Sequence, residues 1–545
     1  MTEMIGAEVR SSPRDVSIAM LAWIGVGSLF VLIRLAGVLS IPVGGAELDH
    51  LAGAWQAHAG NGDERYLPTL FQGITSWTFS FTTSEAPARI LVLLVSGTVP
   101  FALYRLRPVF GEVPALGALL LIALDPVSVL LGSTAWAGGW DLAIVLWLVV
   151  AMNESKLPNW AYAVVGFLLV TAGSLGLPLM LAAAGLRLFR QQYPPREPFA
   201  FAALGVIAGV AVATVGFGHG WEGPTIPPLA TFSAGFDRPW ATEHTRFVAL
   251  LYSAPMIAGG LAAVASWAYR NWRAQDWPET DLLLMTWGAV ALLWVVAAGG
   301  SHDPTPLAAS AIPLALLIGL EVPAAIGALQ RVDWRFALPV LAGIMLGAFV
   351  AEAYVVDWAR LNSVGDANEK LIVTGLLIAV LACLGLLGSS RRTAGALIIP
   401  PGIASALILL SGATGIAFGG PNEPLPSPAA AVQGSEIRDI ALAKRAQAGG
   451  DIVVHTSFAE ELTWALRDSG DVELTSSVPA DATVVIWPAS EPAPVGFAIV
   501  DGQWSFEEER HGPDGGFLQY LRWLSDRNAL KNSRIPVAVY LKAGQ

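Results

Sequence analysis

The sequence predicts an all-α polytopic membrane bundle of about thirteen transmembrane helices, followed by a small C-terminal α/β domain. Three observations lead there. Hydrophobic residues make up 54% of the 545-residue chain and charged residues 14%, with a mean hydropathy of +0.57, which exceeds what a soluble fold carries. Apolar runs of roughly 17 to 25 residues recur from Ser17 to Phe418, each long enough to cross a hydrocarbon core of about 30 Å as a helix. After Gly420 the runs stop and composition becomes that of a soluble domain. Lipid offers no hydrogen-bond partner, so each run must satisfy its own backbone, which makes these segments helices rather than strands.

The expected spans lie near residues 17–39, 86–104, 113–131, 138–152, 159–173, 176–189, 198–217, 246–269, 281–299, 305–327, 336–356, 369–388 and 394–418. Basic residues collect in alternate loops, at Arg10 and Arg14, Arg105 and Arg107, Arg187 and Arg190, Arg270 and Arg273, Arg331 and Arg335, and Arg391 and Arg392. The opposite loops hold mainly acids, among them Glu47, Asp49, Glu85, Asp237 and Asp303. The positive-inside rule then puts residues 1–16 in the cytoplasm of a multi-pass plasma-membrane protein and the tail outside. No small-residue cleavage site follows the first span, so it reads as a retained anchor. The fifth and sixth spans are short, and Gly173, Ser174, Gly176 and Pro178 separate them. They read as half-helices meeting near a cavity, with one long kinked helix as the alternative.

The Pro- and Ala-rich stretch at 420–434 reads as a linker and 435–545 as an extracytoplasmic α/β domain. Its expected strands are 451–456, 472–475, 483–487 and 536–541, with helices near 436–447, 459–467 and 517–526. The domain has an acidic excess, and the whole chain carries a net charge of −12, so neither offers a basic footprint for nucleic acid. The single cysteine, Cys383, excludes a disulfide framework. The long outer loop 42–85 contains two amphipathic stretches, Ala46–His58 and Leu67–Phe81, expected to lie along the membrane interface among membrane lipids.

Ionisable groups near or within the apolar layer are the candidates for chemistry. Glu47 and Asp49 lie just beyond the first span, where a carboxylate could take a proton from a hydroxyl; capping or solvation of an interfacial helix is the structural alternative. Asp141 opens the fourth span and could serve the same site or cap that helix. Asp125-Pro126 fits a helix kink with a buried carboxylate. Arg89 and Arg246, at the outer ends of spans, could bind a lipid phosphate or snorkel to headgroups. His302 and Asp303 occupy a tight outer loop and could contact substrate or satisfy the turn. Histidine spacing is not that of a metal site, and no cofactor is indicated.

Four segments carry a resemblance: GGAELDHLAGAW after the first span, PARILVLLVSGTVPFALYRL, LIALDPVSVLLGSTAWAGGWDLAIVLWLVVAM, and the late SHDPTPLAASAIPLALLIGLEVP. Their layout over roughly residues 15–420 resembles the GT-C superfamily of membrane glycosyltransferases, such as the dolichyl-phosphate-mannose protein mannosyltransferases and the lipid A aminoarabinose transferases. The resemblance implies a GT-C-like bundle that moves a sugar from a polyprenyl-phosphate donor to a glycan, lipid or protein acceptor on the outer membrane face. It places the general base on Asp49, with Glu47 as competitor, and Arg89 is the cation chosen for the leaving phosphate. The chain departs from several relatives in lacking an adjacent Asp-Glu pair and a lysine in that loop. Two other classes fit the same layout: a catalytically silent relative assisting lipid-linked glycan assembly or flipping, and a secondary transporter.

Overall fold

The computed structural model describes residues 17–59 except 42 and 45, 70–153, 158–189 except 172–173, 196–212, 252–274, 278–297, 305–332, 334, 341, 399–418, 428–458, most of 462–511, and 531–543. It is mostly helical, with one small sheet near the C-terminus. The helices are α1 (Ile18–Ser40), α2 (Ala46–Ala59), α3 (Leu70–Thr78), α4 (Ala86–Ser96), α5 (Val99–Phe110), α6 (Glu112–Leu124), α7 (Pro126–Ser133) and α8 (Ala137–Asn153). They continue with α9 (Asn159–Thr171), α10 (Leu177–Phe189), α11 (Arg196–Ala211), α12 (Ala254–Ala274), α13 (Glu279–Ala297), α14 (Thr305–Gln330), α15 (Ile399–Ala417) and α16 (Pro428–Ala448).

Among the described residues five helical stretches are long and apolar enough to cross a membrane, or six if the bent pair α6 and α7 forms one span. One of the five is the continuous stretch Ala86–Phe110, formed by α4 and α5. The expected spans 336–356 and 369–388 lie outside the described residues, residue 341 apart. Ile18, Leu32 and Leu39 of α1 expose 87%, 61% and 79% of their surface, an outward apolar face that water would not tolerate and lipid would. The fifth and sixth expected spans are two helices, α9 and α10, with a 3₁₀ turn at Ser174–Gly176 before α10.

α1 starts where Ser17 turns extended and its hydroxyl accepts from the Met20 amide at 3.2 Å. The expected span 113–131 bends by 69° between α6 and α7, at the Asp125-Pro126 step where a kink was expected. Proline disfavours a helical residue before it, and Asp125 supplies the cap for the new start: its Oδ2 accepts from the Ser128 amide at 2.8 Å and hydroxyl at 2.6 Å. Between α5 and α6 the reversal takes a single residue, Gly111, at φ +96°, where a side chain would be strained.

Small residues let the helices approach closely, as apolar packing in lipid requires. An ideal Cβ on Gly139 of α8 would fall 1.9 Å from the Leu131 carbonyl oxygen and 2.6 Å from Val92 of α4. One on Gly319 of α14 would fall 2.4 Å from the Pro114 carbonyl oxygen of α6. α1 and α7 interlock reciprocally, since Gly37 seats Ser133 and Gly132 seats the stem of Arg34. Arg34 was not foreseen as a buried charge. Fully buried over the Phe30 ring, it donates to Phe30 O at 3.1 Å and to Ile122 O at 3.2 Å, so it joins α1 to the end of α6 at the break.

The sheet contains β1 (Ile452–His455), β2 (Val472–Thr475), β3 (Val484–Pro488), β4 (Phe497–His511) and β5 (Lys531–Lys542) in the order β2-β1-β3-β5-β4. β1 runs parallel to both its neighbours, and β5 is antiparallel to β3 and β4. β1 and β3 are buried throughout, as an apolar run flanked on both sides should be. β4 was not among the expected strands; it pairs with β5 through several register irregularities. α16 begins at Pro428, inside the stretch read as linker, because proline suits a first helical turn and alanines follow it. The expected helix 517–526 lies outside the described residues, and 459–467 is described only in part.

Replacing Gly139 by valine is expected to prevent formation of a monodisperse, folded protein in detergent. Gly25→Val is expected to be tolerated, since a Cβ there meets nothing within 4 Å. Size-exclusion profiles and thermal unfolding of the two variants check this.

Candidate functional site

The C-terminal end of α1 gathers the elements that hold α2. α4 opens with Pro87 in its first turn and carries Arg89 two residues later. The guanidinium donates from Nε and Nη2 to the two oxygens of Glu47, at 2.7 Å each, and from Nη1 to the carbonyls of Val38 at 3.1 Å and Ile41 at 2.7 Å. Glu47 Oε1 also accepts from the Ala135 amide, between α7 and α8, at 2.6 Å. Both side chains are buried, Arg89 at 5% and Glu47 at 2% exposure. A planar fork on a carboxylate is the strongest form of such a pair, and here the carbonyls and the amide satisfy further donors and acceptors around it. Four pieces of chain, namely the end of α1, the start of α2, α4 and the α7–α8 joint, therefore meet at one ion pair.

This geometry alters two expectations. Arg89, chosen as the cation for a leaving phosphate, directs all three of its nitrogens at acceptors within the protein. Glu47, the competitor for the base, is bound by a guanidinium and an amide. The expectation overlooked the Ala135 amide and the two carbonyls, since backbone partners leave no mark in a residue pattern. Asp49 belongs to α2, two residues beyond Glu47, and its side chain lies outside the described residues. Asp141 is buried, at 3% exposure, inside α8 rather than at its cap, because the helix already starts at Ala137. α8 packs against both α4 and α7, which places Asp141 on an element of the same assembly. Arg246, His302 and Asp303 lie outside the described residues.

Aromatic rings line α2 along its length. His50 sits edge-on to Phe71 of α3 at 6.2 Å and to Trp136 at 6.3 Å, next to the residue whose amide binds Glu47. Phe71 in turn meets Trp140 of α8 at 5.6 Å. Desolvation among these rings pushes the His50 pKa down to about 4 from 6.5. Toward its end, α2 presents Trp55 and His58 to Phe79, at 5.5 and 6.4 Å. Among the described residues no group of three or more His, Cys, Asp or Glu could hold a metal ion.

No family model and no curated protein matches the chain. Solved structures do. The crystal structure of ArnT from Cupriavidus metallidurans bound to undecaprenyl phosphate superposes with a TM-score of 0.54 over 95% of this chain and 97% of that one, at 15% identity. The chain has the ArnT fold. The same ArnT in its apo state gives a TM-score of 0.51 over 85% of this chain and 87% of that one, at 18% identity. ArnT is an aminoarabinose transferase with a GT-C fold, so the resemblance read from the four segments holds at the level of the fold. The likeness to ArnT runs through the C-terminal sheet as well as the bundle, since so little of either chain is left out.

Two outcomes are expected from this geometry. Arg89→Met leaves a buried carboxylate unpaired and is expected to destabilise the protein by about 3–5 kcal/mol, while the double variant with Glu47→Gln regains part of that loss. Thermal unfolding in detergent reads both. For His50 the folded pKa lies below the unfolded one, so its contribution is intact above pH 6.5 and is lost as pH falls toward about 4. His50→Phe is therefore expected to flatten the fall in melting temperature across that window and to change nothing above it.

Proposed function

We propose that the chain is an integral membrane glycosyltransferase that takes a sugar from a polyprenyl-phosphate carrier and passes it to an acceptor hydroxyl on the outer face. The observation that carries this reading is the ArnT fold over nearly the whole chain, with one of those ArnT structures bound to undecaprenyl phosphate. In this reading the bundle crosses the membrane about thirteen times, residues 1–16 are cytoplasmic and the C-terminal domain lies outside. Fold likeness alone is a weak guide to chemistry, so the site must supply the rest.

Asp49 is the base. Residues two apart on a helix do not share a face, so the clamp on Glu47 fixes the azimuth of α2 without occupying the position of Asp49. Asp49 takes the proton of the acceptor hydroxyl as its oxygen bonds to the anomeric carbon. The bond from that carbon to the phosphate oxygen breaks, and the polyprenyl phosphate leaves with the electron pair. With Arg89 engaged by Glu47, the cation facing the leaving phosphate is Arg246, with His302 and Asp303 contributing to the sugar contacts. Asp141 supports the site from α8.

The mutual pairing of Glu47 and Arg89 also suits a second reading, a catalytically silent relative that binds the carrier lipid and assists glycan assembly. Vesicles holding the protein and a labelled polyprenyl-phosphate sugar separate the two. Wild-type transfer that falls at least about 100-fold in Asp49→Asn, and also falls in Arg246→Gln, is the expected result. Carrier binding without transfer in the wild type would favour the silent relative.

A further inference from the structure

The C-terminal domain reaches back to the loop between α3 and α4. Phe79, in the turn after α3, is buried at 4% exposure, and its ring meets Trp464 at 5.6 Å. Trp464 lies between β1 and β2 in the C-terminal domain and is itself 5% exposed. Arg467 stacks over the Trp464 ring at 3.9 Å and donates from Nη1 to the Trp464 carbonyl at 2.7 Å. Its Nε donates to the carbonyl of Thr83 at 2.8 Å, in the segment leading into α4. One apolar and one polar contact thus tie the domain to the loop that joins α3 to α4. Because Phe79 also packs on Trp55 and His58, the apolar contact continues onto α2.

α2 is 14 residues long, a length at which a helix is marginal in water without tertiary support. Its first turn has the Glu47–Arg89 clamp. Toward its end, Trp55 and His58 rest on Phe79, and Phe79 is backed in turn by Trp464, supplied from the other end of the chain. A displacement of about 1 Å at a reacting group can cost on the order of 100-fold in rate, so the far end of a helix bearing a base matters as much as the near end.

We infer that the C-terminal domain is a positioning element for α2, acting through Trp464 and Arg467, and that it sets the rate of transfer rather than the affinity for the lipid donor. The inference rests on the glycosyltransferase reading for its kinetic half; its structural half stands independently. Trp464 and Arg467 are positioning residues that act through Phe79 and the 79–83 segment.

The test compares hydrogen exchange of residues 46–59 in the full-length protein in lipid nanodiscs for wild type, Trp464→Ala, Trp464→Phe and Arg467→Gln, alongside transfer kinetics from a labelled undecaprenyl-phosphate sugar. The expected result is exchange in α2 at least about tenfold faster in Trp464→Ala, a smaller change in Arg467→Gln, and near recovery in Trp464→Phe, which keeps a ring. kcat falls in the same order, and KM for the lipid-linked sugar stays at its wild-type value. Unchanged exchange in α2 with β1 and β3 still protected would overturn the inference, whatever happens to activity. If Trp464→Ala also exposes β1 and β3, Arg467→Gln decides: faster α2 exchange alone supports the inference, and unchanged α2 exchange overturns it. A wild type that transfers no sugar would sink the function proposed above while the exchange data still decide the contact.

Discussion

The ion pair between Arg89 and Glu47 is the constraint on which the junction of α1, α2, α4 and α8 depends. It is buried, forked and completed by two carbonyls and one amide, so each charge has the partners that make burial tolerable. Its participants come from α1, α2, α4 and the α7–α8 joint, so one buried pair registers four pieces of chain at a single point. The Ala135 amide is available because the chain breaks at Asp125-Pro126 and restarts as α7, whose end leads into that joint. Arg34 braces the same break from α1. The break, the brace and the clamp form one sequence of causes that ends at the first turn of α2.

Much of the architecture was legible because a lipid solvent enforces simple rules. Among the described residues the apolar runs are helices, five stretches of them long enough to cross a membrane, the split before α10 fell where Gly and Pro cluster, and the two amphipathic stretches of 42–85 became α2 and α3. The kink at Asp125-Pro126 was readable from a proline preceded by a good capping residue. What escaped depended on partners distant in the chain. Arg34 had a sequence signal, a charge in the middle of the first apolar run, but its acceptors are backbone carbonyls that no pattern announces. β4 was hidden by its polar composition, and the first turns of α16, ahead of the expected helix 436–447, by a proline-rich start that suits a linker as well as a first helical turn.

The candidate site was legible in part for the same reason. The acid-rich turn after the first span and Arg89 were both singled out, and the structure brings Glu47 and Arg89 together, though as partners to each other rather than as base and phosphate ligand. With these two engaged by one another, the proposed function assigns the base to Asp49 and the donor contacts to Arg246, His302 and Asp303. The likeness to ArnT, at 15–18% identity, carries the fold and leaves those roles to be argued from the site.

The proposed function requires a polyprenyl phosphate to lie at the outer surface beside α2. A photoreactive undecaprenyl phosphate, incorporated in nanodiscs with the full chain and mapped by mass spectrometry after irradiation, tests it most directly. Under the proposed function, crosslinks are expected on peptides containing α2 and on the segments around residues 246 and 302, competed by unlabelled undecaprenyl phosphate. Crosslinks confined to the opposite ends of the helices, around the Arg270–Glu321 pair that joins α12 to α14, would contradict it.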